Sequence, residues 1–357
     1  MINEIILRDK RDPEQEYTLH LFEYCNLTCQ FCWQDHDAKR GLETVPEKIK
    51  PIYELLDEEV RDSVCFNIMG GEIFADDVFL ELYPQYIDLA KALKYKCDLL
   101  GKSLKINWVT NLVNSRPELV EKLVNECKFL GIQNELSTSY DPRGRFNKHE
   151  FEVFKNNLYQ LKSIVGTVSI LLTKNNINYF ISNKDNFFDQ LYNDGFYIYF
   201  DYYMPDKNWK FSAPSDFDMY EFFKFCVDNY PRAEPVAGWI EHDFNYASCR
   251  TSKLVLDDGT KCNCGNLMVE TGDDAYYKST IRRNDNSEIE NYFFNKYDCM
   301  TCEYMSRCSF GCFMERNSKY LDEMPSCVFK ETFKYIDTKQ STVTAPTRKK
   351  IIPIFQA

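Results

Sequence analysis

Three cysteines, Cys25, Cys29 and Cys32, lie in one short segment of the chain with the spacing C-x3-C-x2-C. Thiolates bind soft metals, and three thiolates on one loop can hold three irons of a 4Fe–4S cluster while the fourth iron stays open. An open metal position supports chemistry, whereas a fully ligated cluster mostly carries electrons or holds structure. The alternative is a zinc site that takes its fourth ligand from elsewhere, for instance from His36. The segment directly follows an apolar run that is typical of a strand, and this position favours the iron–sulfur cluster.

Eight further cysteines lie between residues 249 and 327. They are Cys249, Cys262, Cys264, Cys299, Cys302, Cys308, Cys312 and Cys327. Three ligands plus eight ligands fit one cluster with an open iron and two clusters with four thiolates each. The remaining four cysteines stand in apolar or helical stretches and are expected to be small buried side chains: Cys65, Cys97, Cys127 and Cys226.

Apolar runs and helical patterns alternate along the first two thirds of the chain, which predicts six βα units and a parallel sheet. Six units are too few for a closed eight-fold barrel. We therefore predict an α/β fold with a partial (β/α)6 TIM-like barrel that binds ligands at the C-terminal ends of its strands. The predicted strands cover residues 17–24, 64–69, 104–110, 132–138, 165–172 and 197–203. The predicted helices cover 45–58, 76–97, 117–128, 149–163, the stretch up to 193, and 217–228.

From about residue 249 cysteines become dense and turn residues frequent, which indicates a small domain held by metal rather than by a large core. The predicted organisation is a barrel over 1–205, a bridging region over 206–245, a cysteine-rich iron–sulfur domain over 246–330 and a polar tail over 331–357.

The net charge of the chain is −12, so we do not expect it to coat nucleic acid by charge. The sequence contains no apolar run of membrane-spanning length, and its N-terminus lacks the apolar stretch of a signal peptide. We therefore expect a cytoplasmic protein with no membrane and no nucleic-acid partner. In that compartment most cysteines stay reduced, which favours metal binding over disulfides.

The N-terminal motif resembles that of the radical S-adenosylmethionine (AdoMet) superfamily, whose signature is this cysteine spacing with an aromatic residue before the last cysteine. Phe31 occupies that position. The resemblance implies that the open iron chelates the amino and carboxylate groups of AdoMet and that Phe31 packs against the adenine. It further implies reductive cleavage of the S–C5′ bond, which releases a 5′-deoxyadenosyl radical.

The resemblance also assigns AdoMet contacts to the ends of later strands. Gly70, Gly71 and Glu72 end the second strand and match the family's GGE motif, which binds the amino group of AdoMet. Ser139, with Ser137 as the second choice, matches a serine that reaches the ribose hydroxyls.

Two more strand ends complete this set. Arg143 is the predicted partner of the AdoMet carboxylate, and Arg145 is the neighbouring candidate. Asn111 ends the third strand, where Leu112 replaces a glycine that is common in the family. Because of that departure, Asn111 is not among the predicted site residues.

The C-terminal spacing resembles the SPASM domain, an extension of some radical AdoMet enzymes that carries two auxiliary 4Fe–4S clusters. The resemblance implies one cluster on Cys299, Cys302, Cys308 and Cys327. It implies a second cluster on Cys249, Cys264 and Cys312, with Cys262 as its fourth ligand. The implied total is three clusters, one catalytic and two auxiliary.

Enzymes of this subgroup typically modify a peptide or protein, for example by crosslinking, thioether formation or oxidation of a residue. The resemblance implies such a substrate and an external electron donor of the flavodoxin or ferredoxin type. Many peptide-modifying members begin with a leader-binding domain, for which we expect no room before Cys25, so a leader peptide would need a separate binding protein or another docking surface. Asp201, on the predicted sixth strand, is the predicted general base, with an ion-pair or capping role as the structural alternative. The alternatives for the whole chain are radical chemistry on a small metabolite and a non-enzymatic metal-binding protein.

Overall fold

A computed structural model describes residues 14–32, 34, 36–37, 42, 45–182, 186–203, 212–241, 253–256, 259, 261–262, 294–308 and 324–340. The centre of the fold is a sheet with the strand order β6-β5-β4-β3-β2-β1-β7-β8. The strands are β1 Glu14–His20, β2 Ser63–Met69, β3 Ser103–Val109, β4 Gln133–Ser139, β5 Val165–Leu172, β6 Ile198–Tyr202, β7 Lys253–Val255 and β8 Lys261–Cys262. Every neighbouring pair is parallel except β7 and β8, so seven strands form a parallel, curled half-barrel.

Helices connect successive strands and cover one face of the sheet. They are α1 Ile49–Glu58, α2 Asp76–Leu99, α3 Pro117–Phe129, α4 Lys148–Gln160, α5 Lys174–Ser182, α6 Asn186–Asn193, α7 Asp216–Asn229, α8 Val236–Glu241 and α9 Val328–Gln340. Several helix starts are encoded locally. Pro117 opens α3, where its missing N–H costs no hydrogen bond, and Asn147 and Glu150 form a capping box before α4.

The strands present one apolar face to the helices and one polar face to the concave side, which we call the lumen. In β3, Ile106 is buried beneath the helices, whereas Lys105 and Asn107 face the lumen. Asn107 Nδ2 donates to Asn67 Oδ1 over 2.9 Å, and Lys105 Nζ pairs with Glu135 Oε1 at 2.8 Å. The lumen therefore offers hydrogen-bonding and charged groups to a ligand.

The predicted α/β half-barrel is confirmed, and the extents of some elements differ from the prediction. β1 ends at His20, whereas the predicted strand ran to residue 24. Leu21 and Phe22 stay buried after the chain leaves the sheet, so the apolar pattern continues past the end of the strand. β7 was not predicted, since three residues are too few to show a periodic pattern. It pairs in parallel with Tyr17–Leu19 and extends the barrel sheet with residues from the cysteine-rich part of the chain.

The last helix crosses the boundary that the sequence suggested at residue 330. α9 packs against the barrel helices, with the Phe329 ring centroid 6.3 Å from that of Phe223 and 5.9 Å from that of Trp239. The other two predicted boundaries, near 205 and 245, lie outside the described residues. Among the helices that the structure describes, none is long and apolar enough to span a bilayer.

Candidate active site

The loop after β1 places Cys25, Cys29 and Cys32 at the C-terminal end of the half-barrel. The thiols are partly buried and close enough to influence one another. Burial raises the pKa of Cys25 to about 12, Glu72 and the other two cysteines add to this rise, and a hydrogen bond from Leu27 N lowers it. Metal binding to these thiols must therefore displace protons.

The two glycines of the GGE motif let the loops after β1 and β2 touch. Gly71 N donates to Phe22 O over 2.7 Å. A Cβ on Gly71 would lie 2.0 Å from Tyr24 O, whereas a Cβ on Gly70 would lie 2.9 Å from Phe22 O. Both distances involve backbone atoms, so a side chain at Gly71 would force the loops apart. The motif thus fixes the backbone that carries the cysteines.

Glu72 links the same loop to the end of β3. Its carboxylate is buried and accepts hydrogen bonds from Phe74 N at 2.8 Å, Thr110 Oγ1 at 2.7 Å and Asn111 N at 2.5 Å. Burial raises the pKa of Glu72 to about 7, and these three donors oppose that rise. Because its oxygens are committed to the protein, Glu72 serves here to hold the loop after β2 to the end of β3.

Of the two predicted arginines, Arg145 is the one beside the cysteines. Its Nε donates to Asp141 Oδ2 over 2.7 Å, and its guanidinium carbon lies 5.3 Å from the Phe31 ring centroid. Burial raises the pKa of Cys29, and the charge of Arg145 opposes that rise. Arg143 instead lies over Tyr179, with its guanidinium carbon 4.4 Å from that ring centroid.

Asp141 organises the loop after β4, and it is not among the predicted site residues. It is buried and accepts hydrogen bonds from Leu171 N at 2.8 Å and Asn176 Nδ2 at 3.0 Å, besides its ion pair with Arg145. An aspartate two residues after Ser139 was a visible signal, since short polar side chains often fix loops at strand ends. Asp141 therefore positions Arg145.

Three predicted residues face the lumen from the far strands. Ser137 and Ser139 alternate with the buried Thr138 on β4, and both are partly accessible. Asp201 on β6 is accessible to solvent, yet the protein around the concave face removes much of its hydration. This burial raises the pKa of Asp201 to about 6, and the charge of Asp141 contributes to the rise.

The four scattered cysteines are all buried, as expected. Cys97, Cys127 and Cys226 belong to the hydrophobic core beneath the sheet. Cys65 differs, since it stands on the lumen face of β2 in register with Glu16 and Lys105.

The C-terminal cysteines are described in part. The segment Cys299–Cys308 contains two 3-10 turns, Cys299–Thr301 and Met305–Arg307, and its cysteines are partly buried. Cys327 directly precedes α9. Cys262 lies in β8, and Cys249, Cys264 and Cys312 lie outside the described residues.

Among the described residues, no three His, Cys, Asp or Glu side chains are arranged to hold a metal ion. Each thiolate of a 4Fe–4S cluster binds a different iron, so the thiolates of a cluster stand farther apart than the ligands of one ion. The donor chemistry fits a cluster at the N-terminal loop, since three thiols lie beside a partly buried arginine and the backbone N–H of Leu27 there. The ligand assignments themselves stay predictions.

Residues 19–183 match the family model of the radical SAM superfamily. This segment runs from the end of β1 into α5 and contains the cysteine loop, the GGE motif and the loop that carries Arg145. A search of curated proteins found no match to the chain.

A solved structure shares the fold, and a second alignment is weaker. A structure of histidine-tagged anSMEcpe with bound AdoMet aligns with a TM-score of 0.61 at 16% sequence identity, covering 93% of this chain and 99% of that one. SuiB of Streptococcus suis bound to S-adenosylmethionine aligns with a TM-score of 0.47 at 14% identity, covering 91% of this chain and 78% of that one. The first alignment spans nearly the whole of both chains, so the likeness of fold extends beyond residues 19–183.

Proposed function

We propose that this protein is a radical AdoMet enzyme that abstracts hydrogen from a peptide or protein substrate. The proposal rests on one observation: the loop with the C-x3-C-x2-C cysteines is hydrogen-bonded to the GGE motif and packs closely against it. Both lie inside the segment that matches the radical SAM model. The AdoMet-bound structure with the same fold supports it.

The chain's residues have distinct roles in this proposal. A 4Fe–4S cluster on Cys25, Cys29 and Cys32 would supply the electron that cleaves bound AdoMet to a 5′-deoxyadenosyl radical. Arg145 keeps its Nε on Asp141, and its terminal N–H groups suit the AdoMet carboxylate. We therefore assign that contact to Arg145 in place of Arg143.

Further contacts follow the strand ends. The GGE motif of Gly70, Gly71 and Glu72 binds the amino group of AdoMet, and within it the Glu72 carboxylate fixes the backbone. Ser139 or Ser137 binds the ribose, and Phe31 contacts the adenine. Asp201 faces the lumen and takes the substrate proton as general base.

We further propose that the eight C-terminal cysteines hold two auxiliary 4Fe–4S clusters in a SPASM-like arrangement. The spacing of the cysteines supports this, as does the anchoring of the Cys299–Cys308 segment on α9. A cytoplasmic flavodoxin or ferredoxin would supply electrons, and a separate protein would present a leader peptide. The substrate is to be sought among short peptides, and analysis of its product will identify the modified residue and the bond formed.

The test is anaerobic reconstitution followed by iron and sulfide quantification, with AdoMet and dithionite added to each protein. We expect about twelve irons in the wild type and about eight in the variant Cys25→Ala/Cys29→Ala/Cys32→Ala. We expect 5′-deoxyadenosine from the wild type alone. The matched control is Cys226→Ala, which removes a thiol buried in the core and should keep both iron and activity. Zinc in place of iron, with no 5′-deoxyadenosine, would sink the enzyme proposal.

A further inference from the structure

The side chain of Asn111 is locked in one orientation at the end of β3. Its Oδ1 accepts from Val113 N at 2.8 Å, and its Nδ2 donates to Asn26 Oδ1 at 2.9 Å. Asn26 is fixed in turn, because its Nδ2 donates to Val113 O over 2.6 Å. A backbone N–H and a backbone carbonyl at Val113 thus decide which end of each amide is oxygen and which is nitrogen.

The second proton of the Asn111 amide is left to face Cys25. Asn111 Nδ2 lies 3.8 Å from Cys25 Sγ, within the range of an N–H···S hydrogen bond. The same sulfur accepts from Leu27 N at 3.4 Å. Cys25 therefore has two N–H donors, one from the backbone of its own loop and one from a side chain on another strand.

The scaffold around Asn111 is rigid. Asn111 is buried, and its backbone N–H donates to Glu72 Oε2 over 2.5 Å. The next residue, Leu112, adopts φ +57, a conformation that costs a non-glycine residue energy and so needs support. Asn157 Nδ2 supplies support by donating to Leu112 O at 2.9 Å and Asn114 O at 2.8 Å.

We propose that Asn111 is a positioning residue that donates an N–H···S hydrogen bond to Cys25 and thereby raises the reduction potential of the cluster on the N-terminal cysteines. The inference rests on the proposed function, since it concerns the same cluster. A hydrogen bond to a ligating sulfur withdraws electron density and stabilises the reduced cluster. The nearby Glu72 carboxylate acts in the opposite direction, so the donor offsets a negative charge at this ligand.

Two substitutions remove the donor in different ways. Asn111→Asp keeps the shape but turns a carboxylate oxygen toward Cys25, and Asn111→Ala removes the amide without adding charge. The control is Asn157→Ala, which removes two hydrogen bonds to the same loop. Asn157 is a buried asparagine with no described bond to a cysteine.

The measurement is a redox titration followed by electron paramagnetic resonance on the reconstituted full chain. The N-terminal cluster is identified as the signal that is missing from the triple cysteine variant. At a fixed solution potential we expect the ratio of reduced to oxidised cluster to fall about tenfold in Asn111→Asp, equivalent to about 59 mV for a one-electron couple. We expect a smaller fall, about threefold, in Asn111→Ala and a clearly smaller one in Asn157→Ala, which keeps the donor itself.

An unchanged ratio in Asn111→Ala with full iron content overturns the inference, and so does an equal fall in Asn157→Ala. If Asn111→Asp does not fold, Asn111→Ala decides alone. Failure of the proposed function gives a different result, because the wild type itself would then lack the cluster signal.

Discussion

Asp201 shows how a carboxylate can face water and still be poorly hydrated. It lies on the concave side of β6, where the neighbouring protein removes part of its hydration and raises its pKa to about 6. A carboxylate with a raised pKa holds a proton more strongly than a surface aspartate, which suits it to accept one from a substrate near neutral pH. Below its pKa the group is protonated and cannot act as a base.

Asp201→Asn should therefore abolish product formation while AdoMet cleavage continues. In the wild type we expect product per 5′-deoxyadenosine to rise as the pH increases through about 6 and then to level off. The loss in the variant should be about a hundredfold or more, in line with general-base catalysis. Chromatography of peptide product and 5′-deoxyadenosine measures both quantities, and Asp88→Asn on the surface of α2 serves as the control. Unchanged turnover in Asp201→Asn would remove Asp201 from the mechanism.

Residues on strands were easier to assign from the sequence than residues in loops. Ser137 and Ser139 were assigned by the family resemblance and Asp201 by strand alternation, and all three face the lumen because every second side chain of a strand points the same way. The loop after β4 has no such period, so the sequence could not separate Arg143 from Arg145. That choice depends on the ion pair with Asp141, a contact within a folded loop.

At the scale of elements, the site depends on how closely the loops after β1 and β2 approach. Gly71 is where this approach is tightest, since a Cβ there would meet two backbone carbonyls, Tyr24 O at 2.0 Å and Glu23 O at 2.1 Å. Backbone atoms cannot rotate away as a side chain can. A side chain at Gly71 would therefore break the hydrogen bonds that Gly71 N and Glu72 N donate to the cysteine loop.

Gly71→Ala should abolish iron binding at the N-terminal cysteines and lower the free energy of unfolding by about 1–3 kcal/mol or more, the usual cost of overpacking. Gly70→Ala should have a smaller effect on both quantities, because its Cβ would lie 2.9 Å from the nearest backbone oxygen. Iron analysis and thermal unfolding of the two variants test this order. Equal effects, or a milder effect in Gly71→Ala, would show that loop contact is not the constraint.

The regular elements were largely predictable, and the exceptions have physical causes. Strand β5 was predicted with the bounds that the structure has, since it is rich in the β-branched residues that favour strands: Val165, Thr167, Val168 and Ile170. β7 has three residues and depends on pairing with β1, which is more than 200 residues away in the chain. No local pattern records such a contact.

At the scale of the whole molecule, α9 connects the Cys299–Cys308 segment to the barrel. Arg307 is buried, pairs with Asp337 on α9 at 2.6 Å, and lies with its guanidinium carbon 4.8 Å from both the Tyr304 and the Phe333 ring centroids. One turn nearer the start of α9, the Phe329 ring packs against Tyr202 and Phe223 of the barrel. Cys299, Cys302 and Cys308 are thereby held to the same body that carries the N-terminal loop.

Arg307→Ala should loosen the C-terminal cysteines without disturbing the N-terminal ones. The variant loses a buried guanidinium that bridges two rings and a carboxylate, and each cation–π contact of this kind is worth about 0.5–2 kcal/mol. We expect its iron content to fall by about four per chain while AdoMet cleavage continues and product formation declines. Iron quantification, 5′-deoxyadenosine yield and thermal unfolding are measured together, with Lys122→Ala as the control, since its exposed pair with Glu126 should contribute almost nothing. Loss of AdoMet cleavage together with the iron would mean that Arg307 supports the whole fold, and full iron content would mean that the C-terminal cysteines do not depend on α9.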